Sequence, residues 1–425
     1  MQSEFTPPGW AHNTNIYEVN LRQYTPEGTC HAFAAHLPRL KAMGVQTLWF
    51  MPIHPIGKVN RLGTLGSYYS ISDHQAVNPE YGTLDDFKTL VEEAQKMGFK
   101  IMLDWVANHT AWDHVWTKTN PEYYVRDMYG NFQSPFDWKD VIQIDHNSEE
   151  EQEAMINAMQ FWIQECNIDG FRCDMAHLTP LSFWKKARER LDKIKPLFWL
   201  AETEEINYHD VFDTSYTWEF LHTMEAYWRK EKNIEDLISI LNNYLAFFPA
   251  TAIRMFFTSN HDENSHSGSE YERMGDAALP FAVLCATWGG IPLVYSGQEM
   301  PLKERLSFYD KDAINWTGEF LLNDFYKTLL LLHSSHPALR GGDPEVKTIR
   351  IHTTQDDCIL AYMRKYNEKQ VLVVLNLSSR NDLGFDIQDE NINGSYQNCF
   401  SGSISGIMSG MNFTMQAWEF RVYQK

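Results

Sequence analysis

The chain has 425 residues, 44% of them hydrophobic and 14% aromatic, enough to fill the core of one large domain and a smaller one. Its formal net charge of −20 argues against a nucleic-acid partner or an anionic membrane surface, and no apolar run is long enough to span a bilayer. Met1–Pro8 has neither the basic nor the apolar region of a signal peptide. The cysteines Cys30, Cys166, Cys173, Cys285, Cys358 and Cys399 are scattered without a CxxC, several inside apolar patterns, which predicts reduced buried thiols and a cytoplasmic setting.

From Asn15 to about Leu339, apolar strand-like runs alternate with amphipathic helices. The predicted strands are 16–24, 45–53, 100–106, 169–176, 198–203, 211–218, 254–259 and 291–296. Thr83 and Ser148 are predicted helix N-caps, the latter with Glu151 as a capping box, and Gly44 and Gly98 sit where helices end. Such an alternation predicts an α/β fold with a parallel sheet closed as a (β/α)8 TIM barrel. Neither a Gly-x-Gly-x-x-Gly nor a P-loop pattern is present to suggest a nucleotide-binding sheet. The alternation breaks once, at Thr110–Asn147 after the third strand, and a connection that long in a compact domain is usually functional. After Leu339 the pattern turns to short alternating runs between turn residues, an appended antiparallel β domain.

The predicted fourth strand carries the sequence's most informative stretch, Asp169-Gly170-Phe171-Arg172-Cys173-Asp174-Met175-Ala176. Side chains alternate along a strand, so Arg172 and Asp174 share one face, and such a pair is costly on an inner face unless compensated or used. Taken alone, a structural ion pair explains it as well as a functional one. The other strand ends decide between them. The third ends Asp104-Trp105-Val106-Ala107-Asn108-His109, the fifth at Glu202, and the seventh at Asn260-His261-Asp262-Glu263-Asn264. In such barrels chemistry sits at the C-terminal strand ends, and packing of the apolar layers requires no charges there.

DWVANH, GFRCDMA, the Glu202 strand end and SNHDEN together resemble the conserved strand-end motifs of the α-amylase family of glycoside hydrolases. Leu65–Asp73 and Val77–Thr83 resemble the family's loop after the second strand, and Ser296-Gly297-Gln298-Glu299 the end of the eighth. The resemblance covers nearly the whole barrel. It implies a catalytic domain of residues 1–109 and 148–340, a short inserted domain at 110–147 and a C-terminal antiparallel β-sandwich at 341–425. Carried over by position, it implies Asp174 as nucleophile, Glu202 as general acid/base and Asp262 as transition-state stabiliser. Arg172 would hold Asp174 ionised, His109 and His261 would hydrogen-bond sugar hydroxyls, and Tyr69 would stack on the sugar. Asp104 would touch substrate or support Arg172.

The chemistry asks independently for these residue types. Retaining glycoside cleavage needs an ionised carboxylate below the anomeric carbon and a protonated one beside the leaving oxygen. A guanidinium favours the charged form of Asp174, and burial near negative neighbours raises Glu202. The resemblance implies no cofactor for this chemistry. Its calcium site would use Asn108 with Asp137, Asp140 or Asp145, but Leu178, beside His177, stands where the family has a histidine. Thr25–Thr29 also lacks an alternating Asp/Asn pattern, so no metal is expected among the site residues. The implied activity is retaining hydrolysis of α-1,4 bonds in starch, glycogen or malto-oligosaccharides. A transglycosylase or glucan-rearranging enzyme would use the same residues. A non-catalytic carbohydrate- or partner-binding member would be expected to lack Asp174 or Glu202.

Overall fold

The computed structural model describes residues 5–425, so Met1–Glu4 of the Met1–Pro8 leader reading lie outside the described residues. Eight parallel strands close into a barrel: β1 (Ile16–Val19), β2 (Thr47–Phe50), β3 (Lys100–Trp105), β4 (Gly170–Cys173), β5 (Phe198–Ala201), β6 (Thr214–Ser215), β7 (Ile253–Phe256) and β8 (Ile291–Tyr295). Closure comes from β1 pairing with both β2 and β8. Nearly all strand residues are buried on both faces, because helices cover the barrel outside and side-chain layers fill it inside.

Local signals set most element ends. Thr83 caps Leu84–Lys96 in a capping box with Asp86. Gly44 ends Leu37–Met43 at φ 93°, a left-handed conformation that a glycine adopts without a Cβ clash. Ser148 accepts from the Glu151 amide as expected, but the reciprocal half of that box is absent. The Glu151 carboxylate turns instead to His146, 2.9 Å away. The predicted first strand, 16–24, is too long: Asn20 caps a helical turn at Leu21–Tyr24 by accepting from the Gln23 amide.

In the segment between β3 and the helix Glu149–Cys166, the strand His109–Ala111 pairs antiparallel with Val141–Gln143. At the C-terminal end of the chain lies a six-stranded antiparallel sheet, with a two-stranded sheet of Leu383–Asp386 and Asn412–Met415. Strand Lys369–Asn376 shows why it stays attached to the barrel. Val371, Val373 and Leu375 join the barrel's hydrophobic core, while Leu372 and Val374 join the core within the sheets. Among the described residues no helix is long and apolar enough to cross a membrane.

Candidate active site

One guanidinium organises the barrel mouth. Arg172 on β4 is fully buried; its Nη1 donates to Asp104 Oδ1 at 2.9 Å and to Asp174 Oδ1 at 3.0 Å. Its Nε donates to the Tyr216 hydroxyl at 3.0 Å, and its Nη2 lies 2.8 Å from Glu202 Oε2. The last contact lacks hydrogen-bond alignment and acts as a charge contact. Three neighbouring strand ends thus place carboxylates around one cation, which parallel pairing of β3, β4 and β5 makes possible.

Glu202 has a second anchor. Met175 adopts φ 39°, ψ 48°, a left-handed conformation costing an L-residue about 1–3 kcal/mol, and its amide donates to Glu202 Oε2 at 2.8 Å. Asp262 follows His261 at the end of β7 and lies 3.2 Å from its Nε2.

These carboxyls differ sharply in acidity. Burial pushes Asp174 up to about 7 and Glu202 up to about 7, against the pull of Arg172 on each. Asp104 is raised to about 6, also by burial. Burial alone would raise Asp262, but the His261 charge outweighs it and holds the carboxyl at about 2. Arg172 therefore does not by itself hold Asp174 ionised, as the sequence suggested; desolvation outweighs it. Glu202 also has a cation beside it, brought from the neighbouring strand. Glu202 is raised further by the Asp174 charge beside it. Arg172 donates an aligned hydrogen bond to Asp174 but meets Glu202 only as a charge, which favours the ionised form of Asp174 over that of Glu202.

A cleft of about 400 Å³ opens on this cluster. Asp174, Glu202, Asp262, Tyr69 and His109 line it, together with Trp138, Phe308 and Tyr309. His109 is a neutral imidazole, its pKa lowered to about 3 by burial. Arg172, Asp104 and His261 stand behind the wall instead. Asp104 accepts from Trp49 Nε1 and the Tyr69 hydroxyl, each at 3.1 Å, so it braces Arg172 and Tyr69. His261 is engaged through both ring nitrogens, by Glu18 and by Tyr69 with Asp262, which leaves no ring nitrogen free for a sugar hydroxyl.

Among the described residues no three His, Cys, Asp or Glu side chains cluster as a metal site, and the residues named for calcium have other neighbours. Asp137 and Asp140 line the cleft, the Asn108 amide nitrogen lies 3.4 Å from His109 Nδ1, and Asp145 accepts from Asn147 at 2.7 Å. Sequence reasoning missed Glu18, Trp49 and Tyr216. Glu18 carried a signal, being the one charge in the apolar run Ile16-Tyr17-Glu18-Val19.

Comparison with known proteins agrees with this geometry. The family described as "Alpha amylase, catalytic domain" matches residues 11–324. A noncanonic maltogenic α-amylase from Thermotoga neapolitana superposes with a TM-score of 0.90 at 29% identity, over 98% of this chain and 99% of that one. An α-amylase from Lactobacillus plantarum superposes with a TM-score of 0.87 at 29% identity, over the same shares. Among curated sequences, an α-1,4-glucan:maltose-1-phosphate maltosyltransferase of Rhodospirillum rubrum is 27% identical over 85% of this chain. The chain spans 56% of that relative's length. Matched over most of its barrel and carrying the strand-end motifs at one mouth, the chain belongs to the α-amylase family of enzymes.

Proposed function

We propose that the protein is a retaining α-glucan hydrolase cleaving α-1,4-glucosidic bonds of starch, glycogen or malto-oligosaccharides by double displacement. The observation that carries this reading is the pair of carboxyls on one guanidinium, one hydrogen-bonded and one merely charge-paired, at the floor of the cleft. Retaining cleavage wants such a pair roughly 5–5.5 Å apart.

Glu202 gives its proton to the glycosidic oxygen as the C1–O bond breaks, and Asp174 forms the new bond to C1 from the opposite face. The leaving sugar departs as an alcohol. Water then attacks C1, losing its proton to the Glu202 carboxylate while the ester to Asp174 breaks. Two inversions restore the α configuration. Asp262, held ionised by the His261 charge, offsets the positive charge of the oxocarbenium-like transition state. Tyr69, Trp138 and neutral His109 line the cleft where sugar would lie. The chemistry calls for no cofactor. Six free cysteines, five of them buried, support a reducing, cytoplasmic setting.

Digestion of malto-oligosaccharides of defined length tests the reading. Shorter products with the α-anomer NMR signal appearing first are expected, and an early β-anomer would remove Asp174 as nucleophile. The likeness to a maltosyltransferase favours transfer as the second reading. Products longer than the substrate would establish it.

A further inference from the structure

Glu18 lies on β1 with 0% of its surface exposed, and the mechanism above gives it no task. Its Oε1 is 2.5 Å from His261 Nδ1, and among the described residues its Oε2 has no hydrogen-bond partner. His261, 1% exposed, sits at a junction: its Nε2 is 2.6 Å from the Tyr69 hydroxyl and 3.2 Å from Asp262 Oδ2. The Tyr69 hydroxyl in turn donates to Asp104 Oδ2 at 3.1 Å, and Asp104 Oδ1 accepts from Arg172.

With the Tyr69 hydroxyl donating to Asp104 Oδ2, the remaining protons fit this chain in one way. Tyr69 has a single hydroxyl proton, and it points to Asp104. The Tyr69 oxygen then needs a donor from His261 Nε2, while the Glu18 carboxylate needs one from Nδ1. His261 must therefore carry both protons. A ring protonated only on Nδ1 would aim a lone pair at Asp262 and pull the Tyr69 proton away from Asp104. A ring protonated only on Nε2 would set a lone pair against the Glu18 carboxylate.

We propose that Glu18 is a positioning residue for the cleavage reaction: by holding His261 as an imidazolium it directs the Tyr69 proton to Asp104, keeps Asp104 on Arg172, and maintains a positive charge beside Asp262. This rests on the α-glucan reading for its role in catalysis, but not for the state of the ring. The groups facing His261 are Glu18 from β1, Tyr69 from the loop after β2, Asp104 on β3 and Arg172 on β4 through Tyr69, and Asp262 beyond β7, itself under the influence of His266. The Trp49 and Phe308 rings are uncharged. Burial disfavours the imidazolium, yet Asp262 and Glu18 together hold its pKa well above the ordinary histidine value. Asp262 faces the cleft; Glu18 is sealed from it.

Glu18→Gln keeps the shape and removes the charge. Its kcat at pH 7 should fall about 10- to 100-fold, the scale at which outer partners of a site histidine act, with KM within a few-fold. Lowering the pH should restore part of the loss, moving the optimum to the acid side of the parent's. A loss equal at all pH values, or an unchanged profile, would overturn the proposal. Nitrogen-15 NMR of the His261 ring gives a readout free of activity. Both nitrogens should be protonated in the parent at pH 7 and lose a proton at lower pH in Glu18→Gln. A neutral ring in the parent refutes the proposal even if the variant does not fold. An inactive parent with a charged ring would instead refute the α-glucan reading alone.

Discussion

Two buried arginines sit on different sides of this barrel and are treated differently. Arg188, on the helix Leu181–Leu191, donates through Nε to Asp192 at 3.0 Å, through Nη2 to Asp213 at 2.7 Å and through Nη1 to the Val211 carbonyl. Asp213, just before β6, also accepts from the Trp199 amide at 3.0 Å. Every nitrogen of that guanidinium has a partner, and one of its two carboxylates reaches solvent. Arg172 at the mouth instead faces Asp104, Asp174 and Glu202 together, with Asp262 nearby. Burial is common to both arginines; the balance of buried charge is not, since only Asp213 is a fully buried carboxylate on Arg188. A balanced cluster pins helix to strand, whereas an excess of buried carboxylates is tolerated only where their charge and protons are used.

The largest effect should come from the unbalanced cluster. Asp174→Asn keeps shape and removes the nucleophilic oxygen, so turnover of malto-oligosaccharides should drop by about 10⁴-fold or more while sugar binding persists. Steady-state kinetics within a few-fold of the parent would break the contrast outright. Glu202→Gln should be comparably inactive on natural glucans, yet recover glycosyl-enzyme formation from a glycosyl fluoride, whose leaving group needs no proton. Without that rescue Glu202 is not the acid.

The balanced cluster should respond in stability. Arg188→Met leaves Asp213 buried and unpaired, and denaturant unfolding should report a loss of about 3–5 kcal/mol. The kcat per folded molecule should stay unchanged. A selective loss of kcat would mean that the two arginines do not divide as described.

The strand ends were legible because each places a charge after an apolar run, a pattern the barrel's own packing does not require. What the sequence hid was the partner of each charge. Glu18 and His261 are 243 residues apart and meet only because closure sets β1 beside β8, and β8 beside β7. The cation beside Glu202 likewise comes from the neighbouring strand, so the acid looked unpaired in one dimension. Leu21–Tyr24 reads as strand continuation until Asn20 is seen capping a turn. The strands Gly394–Asn398 and Ile404–Ile407 are largely exposed and short of apolar alternation, so they leave little trace in the sequence.

The same contrast predicts how stability depends on pH. Asp174 and Glu202 are raised to about 7 in the fold, well above an unfolded carboxyl near 4. Between those values the folded state holds more protons than the unfolded, so their contribution to stability falls as pH rises from about 4 to 7. Asp174→Asn removes part of that penalty. It should stabilise the inactive variant by about 1–3 kcal/mol at pH 7.5 and by much less at pH 4. Melting curves at the two pH values measure this, and equal or negative shifts would show that the mouth carries no electrostatic strain.

The smallest effect should come from chelation. A bound cation stabilises a fold only to the extent that it binds the native state and not the unfolded one. Of the ligands that Asn108 would need, Asp137 and Asp140 line the cleft, and Asp145 accepts from Asn147. The neighbouring Ala107 carbonyl lies 3.1 Å from His146 Nε2, whose other nitrogen lies 2.9 Å from the buried Glu151 carboxylate. A side-chain pair thus ties the start of the inserted segment to the helix behind it, the kind of link a cation could otherwise make. Excess chelator should therefore shift unfolding free energy by less than about 1 kcal/mol and leave kcat unchanged. A large loss restored by calcium, but not by magnesium or salt, would show that Asn108 exchanges these partners for a metal.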